Sequence, residues 1–313
     1  MLLNKPSFWD KKKSFASYVL FPLSLFVLLV NFLKKNFTII KKFNVPIICV
    51  GNIYLGGTGK TPASILIARE LNQLKRNPVI LKKFYKTHKD EHELIKSNFK
   101  NLILCSKRVK GIQEAERCNY DSVILDDGFQ DHKIKKDFNI ICFNQEQLVG
   151  NGMILPAGPL RESLKAPEHA DVILINGEKN SVFEDKILKI NENIKFFYSN
   201  YKPINIDGLR NKRLFALAGI GNPENFFKLL DKYNLKIDKK MSFPDHYRFS
   251  KENICNIIEE AKKNKCEIIM TEKDFFKIKD FKLQNINYLK VSLEIERKDN
   301  LIKKLNKLYD KNC

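Results

Sequence analysis

A chain of 313 residues can fold as one large domain or two ordinary ones. With 43% hydrophobic residues, 23 Phe and 10 Tyr it has ample core material and is no disordered chain; 13 Gly and 11 Pro exclude collagen-like and low-complexity classes. Charged residues make up 29%, too many for a multi-span membrane protein, and 56 Lys and Arg against 36 Asp and Glu leave a net charge of +20, which favours anionic partners.

The first element is an uncharged run of 20 residues, Ser14–Leu33, bracketed by Lys11, Lys12 and Lys13 on one side and Lys34 and Lys35 on the other. Twenty residues at helical rise just cross a hydrocarbon core. Basic residues at both ends and Pro22 inside favour a helix that lies in or dips into an anionic leaflet. A true span and a buried core helix are the alternatives. Beyond it, short apolar runs recur at 45–50, 78–81, 101–105, 121–126, 138–143 and 171–175. Helix-length stretches, Thr61–Lys75 and Val109–Cys118 among them, separate several of these runs. Strands alternating with helices predict an α/β fold whose mostly parallel sheet is covered on both faces. The polar segment Asn200–Lys212 reads as a crossing into a smaller C-terminal α/β lobe. That lobe contains the strand RLFALAGI, a helix from Pro223, a helix over 252–263, the strands EIIM and YLKVSL, and a lysine-rich helical tail. The expected division is 1–35 anchor, 36–200 core and 201–313 second lobe.

The chemistry begins at VPIICVGNIYLGGTGKTP. A β-branched strand runs into a glycine-rich turn, and Lys60-Thr61 opens an amphipathic helix. Such a turn points backbone N–H groups at phosphate oxygens, and the helix N-terminus adds partial positive charge. The expected nucleotide cradle is Tyr54, Leu55, Gly56, Gly57, Thr58, Gly59, Lys60 and Thr61, with Lys60 on the β- and γ-phosphates and Thr61 on Mg²⁺. Tyr54 stands where the full pattern has glycine. The strand DSVILDD then ends in Asp126 and Asp127, carboxylates suited to hold Mg²⁺ and to orient a neighbour. In GNGMILPAGPLRES a stiff loop projects Arg161 and Glu162, a cation for γ-phosphate charge and a further metal ligand. Further on, FPDHYRF pairs Asp245 with His246. MTEKD resembles a guanine-reading loop with its lysine one position late, which keeps a membrane-associated P-loop GTPase or metallochaperone-type switch as the alternative. Seven cysteines without CxxC or Cys/His spacing predict neither a disulfide framework nor a zinc site. No module interleaves aromatic and basic residues, so no nucleic-acid partner is expected.

Taken in order, GNIYLGGTGKTP, DDGFQ, GNGMILPAGPLRE, AGIGNPENFF, FPDH and MTEKD resemble the tetraacyldisaccharide 4′-kinase family. The resemblance implies a P-loop kinase that moves the ATP γ-phosphate to the 4′-hydroxyl of a lipid disaccharide 1-phosphate in lipid A biosynthesis. It implies attachment to the cytoplasmic face of the inner membrane through the N-terminal helix; a monomer with Mg²⁺ as the metal is the expectation. In that family the first Walker glycine is commonly absent, which accommodates Tyr54. The family's GDEP corresponds to KDEH here, which makes Asp90 the general base and His246 its assistant. Where the family has LSRGY this chain has LKKFY, with Lys83 and Phe84 in place of the arginine and glycine.

Overall fold

The computed structural model describes residues 6–245 and 247–310. Contacts divide them into two compact units. The larger unit comprises 6–84, 99–200 and 293–310; the smaller comprises 85–98 and 201–292.

The larger unit opens with a helix, α1 (Phe15–Asn36). It continues through β1 (Ile47–Gly51), α2 (Lys60–Gln73) and β2 (Pro78–Lys83). The helix α3 (Lys89–Asn98) belongs to the smaller unit. Back in the larger one follow β3 (Leu102–Cys105), α4 (Arg108–Arg117), β4 (Ser122–Asp126), β5 (Phe138–Asn144), β6 (Val172–Asn176), α5 (Ser181–Leu188) and β7 (Lys195–Pro203). The smaller unit then adds β8 (Leu214–Ala218), α6 (Pro223–Lys232), β9 (Ile237–Ser242), α7 (Lys251–Lys263), β10 (Glu267–Thr271), α8 (Glu272–Ile278) and β11 (Ile286–Leu289). The chain ends with β12 (Val291–Ile295) and α9 (Lys298–Asp310).

The large sheet has the order β12-β7-β6-β5-β1-β4-β2-β3, and the strands from β7 to β3 pair in parallel. Every residue of β1 and β4 is buried, as expected of strands covered on both faces. The order reverses at β1, between β5 and β4, the kind of switch point at whose carboxyl strand ends ligands of open α/β sheets bind. The small sheet, β11-β10-β8-β9, is also parallel.

The observed division differs from the expected one in three places, the first being that the anchor residues from 6 onward group with the larger unit. Residues 85–98 join the smaller unit. The charged stretch Lys86–Glu93 reads as turn-like, yet from Lys89 the chain forms α3, which buries Asp90, His92 and Ile95. At the other end, YLKVSL is two strands, with Lys290 between them: β11 joins the small sheet and β12 the large one. The tail helix α9 consequently packs in the larger unit, burying Leu301, Ile302, Leu305 and Tyr309. Tyr309 Oη donates to Ser122 Oγ at 2.7 Å, and Lys298 meets Glu70 at 2.7 Å.

Helix α1 runs unbroken through Pro22 for 22 residues, and an 18-residue stretch of it has mean hydropathy 2.1. Its residues of lowest exposure are two serines, Ser17 and Ser24, while Phe15, Tyr18, Phe26, Leu29 and Phe32 are more than half exposed. A core helix shows the reverse arrangement, so the core-helix alternative fails.

At the end of β1, a Cβ on Gly51 would lie 2.4 Å from Phe129 Cβ and 3.1 Å from Phe129 N. Gly51→Ala therefore forces β1 and the segment after β4 apart. It is expected to cost about 1–3 kcal/mol, read as a fall in Tm; an unchanged Tm would mean that Phe129 yields freely.

Candidate functional site

The phosphate loop is assembled from the backbone outward. After β1 the chain turns through residues 52–59, and Gly59, at φ +87°, starts α2 from a left-handed conformation open to glycine. The loop is stapled from inside by Asn52, whose Nδ2 donates to Tyr54 O at 2.7 Å and to Thr58 Oγ1 at 2.9 Å. Gln130 Nε2 donates to Asn52 O at 2.7 Å, tying the segment after β4 to the same loop. Pairing of β1 with β4 sets Val50 opposite Asp126, so the first turn of α2 meets the end of β4. There Thr61 Oγ1 donates to Asp126 Oδ2 at 2.9 Å, and Ser64 Oγ donates to Oδ1 at 3.3 Å. Lys82, from β2, pairs with the fully buried Asp126 at 2.5 Å.

Asp127, one residue on, has φ +58°, an uncommon conformation for a residue with a side chain. It turns its carboxylate toward two cations: Lys60 Nζ at 3.7 Å and Arg161 Nη1 at 3.2 Å. Burial alone would raise the Asp127 pKa, but Lys60, Arg161 and Lys82 outweigh it and hold the group below the usual aspartate value. Arg161 is fixed through its backbone, which donates to Ile53 O at 2.7 Å, while Leu55 N–H donates to Pro159 O at 2.9 Å. Thus Lys60, Thr61, Asp126, Asp127 and Arg161 stand together in the larger unit.

Other expected members behave differently. Tyr54 has no exposed surface; its side chain packs in the hydrophobic core and beside Gly56, at the position where the full pattern has a glycine. Thr58 is buried and points at Asn52, and Leu55 is exposed. Glu162 is drawn toward Lys136, Lys35 and Gln130 rather than grouped with Thr61 and Asp126 by any contact among the described residues. Burial raises its pKa, against the lowering effect of Lys136 and Lys35. Reading the sequence alone misses Asn52, Gln130 and Lys82. The signal for Lys82 was present in LKKFY, where the resemblance draws attention to Lys83 instead.

Mg²⁺ suits this donor set. It binds hard oxygens and usually takes one or two carboxylates together with substrate phosphates instead of an all-protein cage. Thr61 Oγ1 and Asp126 supply such oxygens side by side, and Oε1 of Glu162 is buried without a hydrogen-bond partner among the described residues.

In the smaller unit, Lys273 on α8 gathers three carboxylates: Glu91 at 3.0 Å, Asp245 at 3.2 Å and Asp90 at 3.8 Å. Burial would lower the Lys273 pKa, yet the acids Glu91, Asp245 and Asp90 outweigh it and raise it. Asp90 is itself buried, at 3% exposure, on the first turn of α3. His246 lies outside the described residues. MTEKD is no base-reading loop: Thr271 caps α8 by accepting from Asp274 N–H, and Asp274 is buried against Lys277 and Gly219 N–H.

The family model for tetraacyldisaccharide-1-P 4′-kinase matches residues 16–310. Among curated proteins, a tetraacyldisaccharide 4′-kinase of Pelagibacter ubique is 39% identical across the whole of both chains. One from Rickettsia akari is 33% identical over 96% of each chain, and one from Bradyrhizobium diazoefficiens 28% identical over 88% of this chain and 87% of its own. Among solved structures, LpxK of Aquifex aeolicus in complex with ATP superposes with a TM-score of 0.70 at 25% identity, covering 94% of this chain and 99% of that one.

The depressed Asp127 carboxyl makes a signed prediction. Unfolded, it titrates near 3.8, and folded it titrates lower. Its ionic pairing therefore stabilises the fold fully above the unfolded value and is lost as pH falls from there through the folded value. The stability gap between the natural protein and Asp127→Asn, from denaturant titrations, should shrink as pH drops from 6 toward 3. A gap that stays constant with pH would assign no such role to the charge.

Proposed function

This chain belongs to the tetraacyldisaccharide-1-P 4′-kinase family, and from that footing we propose how its residues carry out the reaction. It is an ATP-dependent lipid A 4′-kinase with an α/β P-loop fold. The observation that carries the residue assignment is the convergence of Lys60, Thr61, Asp126, Asp127 and Arg161 at the carboxyl ends of two adjacent parallel strands.

The acceptor is a sugar hydroxyl, a poor nucleophile near neutral pH, so a carboxylate base is useful. Asp90 takes the 4′-hydroxyl proton as the new O–P bond forms. The bond from the γ-phosphorus to the β–γ bridging oxygen breaks, and ADP leaves. Lys273, 3.8 Å from Asp90, sets a positive charge beside that base. The loop from Gly56 to Thr61 wraps the phosphates with its N–H groups, and Lys60 neutralises charge on the β- and γ-oxygens. Arg161, aimed by Asp127, meets charge on the transferring group. Thr61 and Asp126 would hold Mg²⁺, with Glu162 as an outer carboxylate, and the ion would supply positive charge to offset that of the phosphates. The acceptor is a lipid, and the exposed apolar face of α1, followed by Lys34 and Lys35, suits attachment to an anionic cytoplasmic leaflet of the inner membrane.

A kinase consumes ATP only with the acceptor present, whereas a switch GTPase turns over without it; turnover in the absence of the lipid disaccharide phosphate would remove this reading. Lys60→Ala is expected to abolish most transfer. Asp90→Ala should lower kcat by about 10²–10⁴-fold with little change in KM for ATP. Glu91→Ala, tested in parallel, should do much less; the opposite order would move the base by one residue. Lys273→Met should also lower kcat, and less than additively with Asp90→Ala. Full additivity would detach Lys273 from the base.

A further inference from the structure

Helix α1 has a second face. Ser17, Ser24 and Asn31 recur every seven residues, nearly two helical turns, and so form one polar seam along an otherwise apolar helix. Each member of the seam bonds to the loop that ends in Arg161. Ser24 Oγ donates to Ile154 O at 2.8 Å and accepts from Ala157 N–H at 3.1 Å. Ser17 Oγ accepts from Asn151 Nδ2 at 3.1 Å. Asn31 Nδ2 donates to the carbonyl oxygen of Arg161 itself, at 3.1 Å. Ser17 and Ser24 are 1% and 2% exposed, so these bonds are made away from water, where a lost partner is costly.

The far side of the same loop is joined to the phosphate loop. Arg161 N–H donates to Ile53 O, Leu55 N–H donates to Pro159 O, and Tyr54 bridges to Leu160. The Arg161 loop is thus clamped between α1 and the phosphate loop, with the Arg161 guanidinium held on Asp127 at its tip. A tether needs none of these bonds; an apolar helix on a flexible linker would serve. We propose that the Ser17–Ser24–Asn31 seam of α1 positions Arg161 for phosphoryl transfer, so that the helix facing the lipid is also a strut of the nucleotide site. This rests on the role of Arg161 given above. The three seam residues are positioning residues: they act through the loop and not on the substrate.

The test separates positioning from attachment, because the seam faces inward and the lipid-seeking side chains face outward. Ser24→Ala, Asn31→Ala and the double variant are made in the full chain. Steady-state kinetics are measured with ATP and acceptor in mixed detergent micelles, and attachment by co-sedimentation with anionic phospholipid vesicles. A misplacement of about 1 Å costs up to ~10²-fold in rate, so the double variant should lose about tenfold or more in kcat. KM for ATP and vesicle binding should change little. Ser24→Thr, which keeps the hydroxyl, should recover what Ser24→Ala loses. In an Arg161→Ala background the seam substitutions should have little further effect.

An undiminished kcat in the double variant overturns the proposal, as does a loss fully additive with Arg161→Ala. A loss accompanied by a raised KM for ATP and a lowered Tm, unrescued by Ser24→Thr, also overturns it, because the seam would then only hold the fold. Arg161→Ala measured alone reports on the underlying reading: wild-type kcat there removes the role of Arg161 itself, whatever the seam variants do.

Discussion

The parallel pairing of β1 with β4 is the constraint on which the catalytic arrangement depends. It sets Val50 opposite Asp126 and so brings two segments 65 residues apart into hydrogen-bond contact, Thr61 on Asp126. Once that register exists, Lys82 from the neighbouring β2 neutralises Asp126, and Asp127 turns outward in a left-handed conformation to face Lys60 and Arg161. A buried carboxylate without such a cation would be costly. Asp126 and Asp127 are adjacent in sequence, yet their nearest cations differ: Lys82 for Asp126, Lys60 and Arg161 for Asp127.

Helix α1 inverts the usual logic of a packed helix. Its seam of Ser17, Ser24 and Asn31 hydrogen-bonds to protein, with Val27 and Leu28 packed against the core, while most of its large apolar side chains are exposed. In water this would be a large exposed apolar surface, and such surfaces mark interaction sites. With lysines at its last turn, the arrangement is consistent with a helix that has lipid on one side and the Arg161 loop on the other.

Much was legible along the chain because local rules apply to it. Glycines before Lys60-Thr61 at the start of an apolar-patterned helix announce a phosphate cradle, and the strand ending in Asp126-Asp127 announces its partner. The run 14–33 announces a helix by its lack of charge. What escaped were residues whose roles come from distant partners. Asn52 and Gln130 look like ordinary loop amides, but they staple the cradle from inside. Tyr54, read as part of the cradle, has its side chain in the core, which its place in a glycine-rich loop does not announce. The stretch 85–98 carried too few apolar residues to reveal α3, which is held by ion pairs with α8 such as Glu91–Lys273.

By itself, then, the sequence determined the local chemistry: a glycine turn able to adopt left-handed backbone, carboxylates at a strand end, an uncharged helix between lysines. Those follow from steric and solvation preferences acting within a few residues. Only the tertiary structure decided which charges meet. It assigned Lys82 to Asp126, Arg161 to Asp127 and Lys273 to the acids around Asp90. It also turned the serines of α1 toward the Arg161 loop. Coulombic and hydrogen-bond pairing depends on distances of a few ångströms between residues far apart in the chain, and those distances are created by strand order and register.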